Sequence, residues 1–172
     1  MSGAFLLYYK LIVMNIVTTT ALTAAQLAAI YRLWNSEYPA PLVYNSMAEL
    51  EDYLSHIDDK VHHFATACDT SVVGWAMSFT RNDERWFAVI VDRGMQGKGV
   101  GGLLLDRLKA DARVLCGWVS DGHDCLRQDG SQYNSPLPFY TANGFRTMAD
   151  IRLETNKLSA VKIVWQRSED DT

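Results

Sequence analysis

The chain has 172 residues with a formal net charge of −4 at pH 7, and 48% of its residues are hydrophobic while 21% are charged. This length and balance are typical of one folded domain, and they exclude a low-complexity or intrinsically disordered chain. The acidic charge balance also argues against a general nucleic-acid-binding protein, which usually carries a basic surface.

The N-terminal segment is apolar over residues 4–17, but Lys10 interrupts it and no basic segment or cleavage signal accompanies it. It is too short for a membrane span and fits a signal peptide poorly, so we expect no membrane association and a cytoplasmic location. We predict a first strand over residues 11–18. The predicted organisation is a single domain over residues 11–166, an N-terminal extension over residues 1–10 and a frayed tail over residues 167–172.

Two helices are predicted after the first strand. Thr23 and Gln26 have the spacing of a capping box, and apolar residues then recur at helical spacing until two prolines end the pattern. Ser46 and Glu49 begin a second capping box, which predicts a shorter helix to about Ile57.

The second half of the chain alternates strands and helices. Three consecutive strands are predicted over residues 61–68, 72–80 and 86–91, followed by a helix over residues 100–113. A strand over residues 114–120, a short helix over residues 138–143 and strands over residues 145–153 and 159–165 complete the pattern. The predicted order is β-α-α-β-β-β-α-β-α-β-β, an α/β chain of the α+β type with a mixed sheet.

Cysteine and histidine do not predict a metal site. Cys68, Cys116 and Cys125 are odd in number and lack metal-type spacing, which indicates reduced thiols. His62 and His63 are adjacent, so in a strand they point to opposite faces and cannot bind the same metal ion.

The segment Gln96-Gly-Lys-Gly-Val-Gly101 follows an apolar strand and begins a helix. Glycines let backbone N–H groups approach a ligand, and the helix dipole favours negative charge, so the segment predicts a phosphate-binding turn. Residues 97–102 also match G-x-G-x-x-G, with Asp121 about 20 residues further on, as in a dinucleotide-binding fold. The late position of the turn and the preceding meander argue against that fold. A turn that only tightens the strand–helix junction is the other alternative.

The same segment resembles the acyl-CoA-binding motif Q/R-x-x-G-x-G/A of the GNAT N-acetyltransferase superfamily. Val89-Ile-Val-Asp92 is similar to the fourth strand of that family, and Phe139-Tyr-Thr-Ala-Asn-Gly-Phe145 is similar to its F-Y-x-x-x-G-F segment. The resemblance covers nearly the whole chain and implies a GNAT-like acyl-CoA N-acyltransferase fold. It also implies an enzyme that transfers an acetyl group from acetyl-CoA to a primary amine of a small molecule or peptide, by direct attack on the thioester.

Site residues follow from the resemblance. The main chain of the fourth strand would pair with the pantetheine arm, and one of its N–H groups would hold the thioester oxygen. Tyr140 would be the general acid that protonates the departing thiolate, with a core tyrosine as the alternative. For Lys98 and Asn134 the alternatives are a solvated side chain and a helix N-cap, respectively. The implied cofactor-binding residues are Ile90, Val91, Gln96, Gly97, Lys98, Gly99, Val100, Gly101, Gly102 and Asn134.

The general base and the acceptor site are less well defined. Glu84, just before the fourth strand, is the candidate base, and Asp121 and His123 are alternatives that also suit ordinary turns. Acidic Glu37 and an aromatic wall would bind a cationic amine by charge and cation–π contact, although aromatic residues at helical spacing also suit a core. The candidate wall residues are Trp34, Tyr38, Tyr44 and Trp118.

Two further functions stay open at this point. A non-catalytic acyl-CoA-binding module would keep the diphosphate turn without turnover, and a dinucleotide-binding oxidoreductase would require NAD(P) affinity. The expected partner is an amine acceptor, with no nucleic acid, and exposed strand edges allow a homodimer.

Overall fold

The computed structural model describes residues 13–122 and 124–168, and a seven-stranded mixed sheet runs through them in the order β1-β2-β3-β4-β5-β7-β6. The strands are β1 (Val13–Thr19), β2 (Asp58–Ala67), β3 (Val72–Arg81), β4 (Glu84–Val91), β5 (Val114–Val119), β6 (Arg146–Glu154) and β7 (Ser159–Gln166). The helices are α1 (Ala24–Glu37), α2 (Met47–Ser55), α3 (Val100–Ala110) and α4 (Leu137–Ala142).

This order of elements confirms the predicted fold class, and the element ends differ from the predicted ones by only a few residues. The predicted N-terminal extension and most of the predicted tail lie outside the described residues. Among the helices that the structure describes, none is long and apolar enough to cross a membrane.

The two predicted helix starts differ in their capping. Thr23 Oγ1 accepts from the Gln26 N–H at 3.2 Å and Gln26 Oε1 accepts from the Thr23 N–H at 3.0 Å, which completes the capping box. Ser46 Oγ likewise accepts from the Glu49 N–H at 3.3 Å. The Glu49 carboxylate, however, accepts from the N–H of Asn45 at 2.9 Å, one residue earlier than a capping box requires, so the second box is incomplete.

The turn between β3 and β4 is tighter than the sequence pattern predicts. Asn82 and Asp83 both have positive φ, at 50° and 59°, which suits a two-residue hairpin turn. Arg81 and Glu84 therefore pair across the hairpin and belong to the strands rather than to the turn.

The sheet changes direction at one place. Strands β1 to β4 are antiparallel to their neighbours, and β5, β7 and β6 form a second antiparallel set. The two sets meet where β4 pairs with β5 in parallel, at the single register Trp86–Cys116. Beyond this pair the described strands diverge, and a gap opens toward their C-terminal ends. Since α3 begins shortly after β4, its N-terminus lies near the mouth of this gap.

A separate buried cluster covers each face of the sheet. Ile30 and Leu33 of α1 pack with Trp75 on one face, together with residues of α2. Leu104 and Leu105 of α3 belong to the cluster on the other face. Each of these side chains is fully buried, so the helices hold the sheet from both sides while the β4–β5 gap stays open between them.

Candidate active site

A cavity of about 540 Å³ occupies the gap between β4 and β5. Residues Val89, Ile90 and Val91 line it from β4, and Trp118 and Val119 line it from β5. The remaining lining residues come from the end of α1, the glycine-rich turn and the segment before and within α4: Glu37, Tyr38, Gln96, Gly97, Gly99, Gly101, Gly102, Arg127, Tyr133, Asn134, Ser135, Pro136, Phe139 and Tyr140.

The glycine-rich turn presents uncapped backbone donors to this cavity. Gly99 is the N-cap of α3 in a left-handed conformation, with φ of 87°, and has no side chain to bind the first-turn N–H groups. Gly97 also has a positive φ of 73°, which only glycine adopts without strain. These N–H groups and the positive end of the helix dipole can bind an anion.

Two glycines of the turn distinguish a ligand site from a merely tight junction. A Cβ on Gly102 would meet no other atom within 4 Å, so packing does not require glycine at this position. A Cβ on Gly101, in contrast, would lie 2.9 Å from Cζ of Phe139, which packs against the start of α3. The open surface at Gly102 and the left-handed glycines before it fit a diphosphate group held by the main chain.

The side chains of the motif have structural roles of their own. Gln96 Nε2 donates to the carbonyl oxygen of Val91 at 3.0 Å and thereby ties the turn to the end of β4. Val100 is 1% exposed, so its side chain belongs to the core and only its main chain is available to a ligand. Lys98 is half-buried and does not line the cavity.

The edge of β4 lies along the cavity as the resemblance implied. Ile90 and Val91 both line it, while the side chain of Ile90 is only 3% exposed and packs in the core. The Val91 carbonyl already accepts from Gln96, so one of the groups expected to pair with the pantetheine arm is partly occupied.

Tyr140 lies in the cavity wall and in the core at once. Its ring makes edge contacts with Phe87, Phe139 and Phe145 at centroid distances of 5.6, 5.2 and 5.5 Å. The residue is 6% exposed, and burial raises the pKa of its phenol well above the ordinary value. Its hydroxyl makes no hydrogen bond with a described residue, so a neutral phenol is available to the cavity.

Asn134 also lines the cavity, and it is exposed. The N-cap of α4 is Pro136, which makes no side-chain hydrogen bond, so Asn134 does not have the capping role that was its alternative. Its amide is therefore available to a ligand in the cavity.

A comparison with protein families matches the acetyltransferase (GNAT) domain to residues 59–147, slightly more than half of the chain. The chain belongs to the GNAT acetyltransferase family. This membership confirms the fold, the acetyltransferase class and the acetyl-CoA cofactor implied by the resemblance. The uncapped glycine turn and the open β4–β5 gap fit that cofactor.

Solved structures share this fold at low sequence identity. A GNAT phosphinothricin acetyltransferase from Sinorhizobium meliloti in complex with acetyl-CoA is 16% identical, with a TM-score of 0.65 over 91% of this chain and 90% of that chain. A ribosomal-protein-alanine N-acetyltransferase from Brucella melitensis is 17% identical, with a TM-score of 0.63 over 90% and 100%. A spermidine/spermine N-acetyltransferase from Vibrio cholerae is 18% identical, with a TM-score of 0.57 over 88% and 92%. A search of curated proteins found no significant match.

The structure does not bring the candidate bases of this GNAT enzyme to the cavity. Glu84 begins β4, at the opposite end from the gap, and its carboxylate binds Lys162 Nζ at 2.7 and 2.8 Å. Asp121 accepts two hydrogen bonds of 2.9 Å from Arg152 and does not line the cavity either. His123 lies outside the described residues.

The predicted acceptor wall divides into two groups. Glu37, Tyr38 and Trp118 line the cavity. Trp34 is 9% exposed and donates from Nε1 to the Leu42 carbonyl at 2.9 Å, so it belongs to the core. Tyr44 packs against the Trp34 ring at 5.2 Å and does not line the cavity. Helical spacing alone does not separate a core aromatic residue from one at the edge of a gap.

Sequence reasoning missed Arg127 and Tyr133, which the loop after β5 brings to the cavity. Residues 125–133 fold into a small hairpin, called here the flap, with the Arg127 N–H bonded to the Ser131 carbonyl at 2.8 Å. The flap joins the end of α1 through an isolated bridge between Arg127 and Pro39. The only sequence signal is Asp129-Gly130, a turn dipeptide in a polar loop, which predicts a hairpin but not its position.

Among the described residues that line the cavity of this GNAT enzyme, two are charged, Glu37 and Arg127. Glu37 Oε1 accepts from the Arg93 N–H at 3.2 Å. Glu37 Oε2 is buried without a hydrogen bond and lies 3.6 Å from Arg93 Nε and 3.8 Å from Arg127 Nε. The carboxylate therefore balances the charge of two guanidinium groups.

Three tyrosines that line the cavity, Tyr38, Tyr133 and Tyr140, have phenols with a raised pKa. Burial and the proximity of Tyr133 and Tyr140 raise the pKa of Tyr38. Burial also raises the pKa of Tyr133 to about 12, although the nearby charge of Arg127 acts in the opposite direction. All three phenols are therefore neutral near pH 7 and can both donate and accept hydrogen bonds.

Proposed function

We propose that this GNAT enzyme transfers the acetyl group of acetyl-CoA to a primary amine of a small molecule or a peptide, by direct attack of the amine on the thioester. The observation that carries the proposal is that the uncapped glycine turn and Tyr140 line one cavity in the β4–β5 gap. A phosphate-binding group and a proton donor are thus available at the same site.

The donor is held mainly by the main chain. In this proposal the N–H groups of residues 97–102 bind the diphosphate, and the exposed edge of Ile90 and Val91 binds the arm. The Asn134 amide adds one side-chain contact. A main-chain N–H of β4 polarises the thioester carbonyl. Acetyl-CoA, when bound, supplies the activated acyl group.

Tyr140 is proposed as the general acid. A thiol has an ordinary pKa of about 8.5, and a departing thiolate therefore accepts a proton from a well-placed phenol. Because burial raises the pKa of Tyr140, its hydroxyl keeps the proton over the whole neutral range. Its O–H can then donate a proton to the thiolate sulfur as the carbon–sulfur bond breaks, and the phenolate regains a proton from the amine nitrogen as the amide forms.

In this proposal the acceptor loses its ammonium proton to water before it attacks the thioester. Glu37 is the one carboxylate among the described lining residues, and its two oxygens face the Arg93 N–H and two guanidinium groups. The enzyme then acts on the fraction of acceptor that is already neutral. For an amine with a pKa of about 10, kcat/KM should rise about tenfold per pH unit below that pKa.

Two measurements test the function. Calorimetry with acetyl-CoA, CoA and NAD should show binding of the first two only, and thiol release over an amine panel should depend on the acceptor, with an N-acetyl product in the mass spectrum. NAD binding without CoA binding would contradict the acetyltransferase function. Acetyl-CoA binding without product on any amine would indicate a non-catalytic module. A rate that is already independent of pH above about pH 7 would show that a side chain acts as the base.

A further inference from the structure

Arg127 has charged N–H groups available at the wall of the cavity. Its side chain is 10% exposed. Nε donates to the main-chain carbonyl of Glu37 at 3.2 Å, while Nη1 donates to the carbonyl of Gln132 and, at 3.5 Å, to Ser131 Oγ. Nη2 makes no hydrogen bond with a residue in the described ranges. The guanidinium is thus fixed by two nitrogens, and the third stays available.

The surroundings of Arg127 favour an anionic ligand. Glu37 shares its carboxylate between Arg127 and Arg93. Its Oε1 accepts from the Arg93 N–H and from Ser36 Oγ, and its Oε2 is buried, so neither oxygen is open to an ammonium group. Arg93 is paired on its outer side with Asp129 at 3.0 Å and does not line the cavity. The cavity wall described by the structure therefore presents an available cationic donor and no available carboxylate.

From this arrangement we infer that the acceptor is an amino-acid-like molecule, whose carboxylate binds Arg127 while its amine takes the acetyl group. The inference rests on the proposed function and adds the substrate class to it. The two N–H bonds of Arg127 Nη2 can donate charge-assisted hydrogen bonds to a carboxylate, which are stronger than hydrogen bonds between neutral groups. Where the guanidinium lies beside an aromatic ring, as here with Tyr133 at 5.6 Å, its orientation is restricted further.

The inferred site sets two requirements for the acceptor. It needs a carboxylate for Arg127 and a free amine for the acetyl group, and both must reach one cavity, since Arg127 and Tyr140 line the same one. A free amino acid satisfies both requirements. A peptide amine lacks the adjacent carboxylate, and a polyamine lacks any group for Arg127. The geometry therefore separates three classes of acceptor that share the same reacting group.

The test compares matched acceptors. Phenylalanine, phenylalanine amide and phenethylamine have the same side chain and differ at the carboxylate, as do leucine, leucine amide and isoamylamine. With kcat/KM divided by the fraction of neutral amine, we expect each free amino acid to exceed its amide and its decarboxylated amine by about 100-fold or more, since a site built to bind a polar group rejects analogues that lack it. Equal use of all three, or a preference for the decarboxylated amine, would overturn the inference.

Variants assign the preference to Arg127. Arg127→Gln should reduce the ratio of amino acid to amine to about one. Arg127→Lys should retain part of it, because it keeps the positive charge but loses the planar group that the hydrogen bonds to Glu37 and Gln132 hold in place. Arg93→Gln is the matched control, since it removes a charge from the same Glu37 at a residue that does not line the cavity, and it should keep the ratio. If Arg127→Gln weakens acetyl-CoA binding and leaves the ratio unchanged, Arg127 contacts the donor and the inference is wrong.

A binding measurement separates this inference from the proposed reaction. In the presence of CoA, N-acetylphenylalanine should bind more tightly than N-acetylphenethylamine, and Arg127→Gln should remove the difference. Arg127-dependent binding without thiol release would support the acceptor class and contradict turnover. Thiol release with no difference between the two products and no carboxylate preference would support the acetyltransferase and overturn the acceptor class.

Discussion

The two ends of the cavity are built from different parts of the polypeptide. At the donor end, one continuous segment of six residues, Gln96 to Gly101, places several main-chain N–H groups at the N-terminus of α3. At the acceptor end, Glu37, Trp118 and Arg127 come from α1, β5 and the flap. A main-chain site recognises phosphate in a general way, whereas a side-chain site distinguishes one acceptor from another.

The difference also explains how each end tolerates change. The donor end depends on backbone conformation, so a single Cβ at a left-handed glycine disturbs it. The proposed acceptor end depends on ion pairs that span the chain, such as Glu37 with Arg127 at 3.8 Å, so we expect its selectivity to change when one partner changes. In the proposed mechanism, acetyl transfer takes place between them, where Tyr140 lies in the wall.

The largest expected effect tests whether acetyl transfer depends on Tyr140, which lies between the two ends of the cavity. Tyr140→Phe should lower kcat about 100-fold through loss of general-acid catalysis, while the dissociation constant of acetyl-CoA changes less than about threefold. Glu84→Gln is the control, because its carboxylate is paired with Lys162 away from the cavity, and its kcat should change less than about threefold. Steady-state kinetics and calorimetry measure both. Equal loss of turnover and affinity would make Tyr140 a packing residue, and a large loss in Glu84→Gln would restore Glu84 as a base.

Acidic pH should lower the free energy of unfolding, because a buried histidine lies on each face of the sheet that supports the two ends of the cavity. His62 accepts from Trp75 Nε1 at 3.2 Å and His63 hydrogen-bonds Thr18 at 2.9 Å, on opposite faces of β2. Burial lowers the pKa of both imidazoles to about 4, against an ordinary value of about 6.5. The neutral forms therefore stabilise the fold above pH 6.5, and this contribution is lost as the pH falls toward 4.

At about pH 5 the loss should be about 2 kcal/mol per histidine, or roughly 30-fold in the folding equilibrium. Urea unfolding at about pH 7.5 and about pH 5 measures it, with His62→Gln and His63→Gln each expected to remove one share of the pH dependence. Equal free energies of unfolding at the two pH values would show that neither imidazole is held neutral. A pH dependence that survives in both variants would assign it to other groups.

The smallest expected effect concerns the donor end alone. Gly99→Ala places a Cβ on a residue with φ of 87°, and we expect the dissociation constant of acetyl-CoA to rise about tenfold as the turn distorts. Gly130→Ala is matched in conformation, with φ of 80°, but it lies at the tip of the flap and does not line the cavity. Both variants should lose about 1–2 kcal/mol of stability. The comparison of donor and acceptor ends would fail if both variants weakened acetyl-CoA binding equally.

Local signals predicted most of the fold. The capping box at Thr23 and the glycine turn each act within a few residues, and both are present in the structure. The prediction was less accurate at the hairpin of Asn82 and Asp83, because Glu84 pairs with Arg81 and β4 therefore begins before its predicted start. Short-range patterns identify an element well and its ends less well, since end residues also respond to neighbouring strands.

Contacts between distant residues account for the errors at the site. Glu84 was the candidate base, but its carboxylate binds Lys162, which is 78 residues away in the chain. No local sequence pattern predicts that ion pair. Trp34 and Tyr38 both suit an aromatic wall, yet only Tyr38 lines the cavity. The roles of Tyr140 and of the motif residues remain proposals that the variants above test.

The sequence by itself determined the element order and the donor end, because a helix N-terminus and its glycines are formed by one contiguous segment. Only the tertiary structure decided which side chains line the rest of the cavity. Arg127 sits in a polar loop with no distinctive pattern, and it reaches the cavity because the flap folds against the end of α1 and Glu37 balances its charge. Burying a guanidinium requires partners from elsewhere in the chain, and those partners come together only when the chain folds.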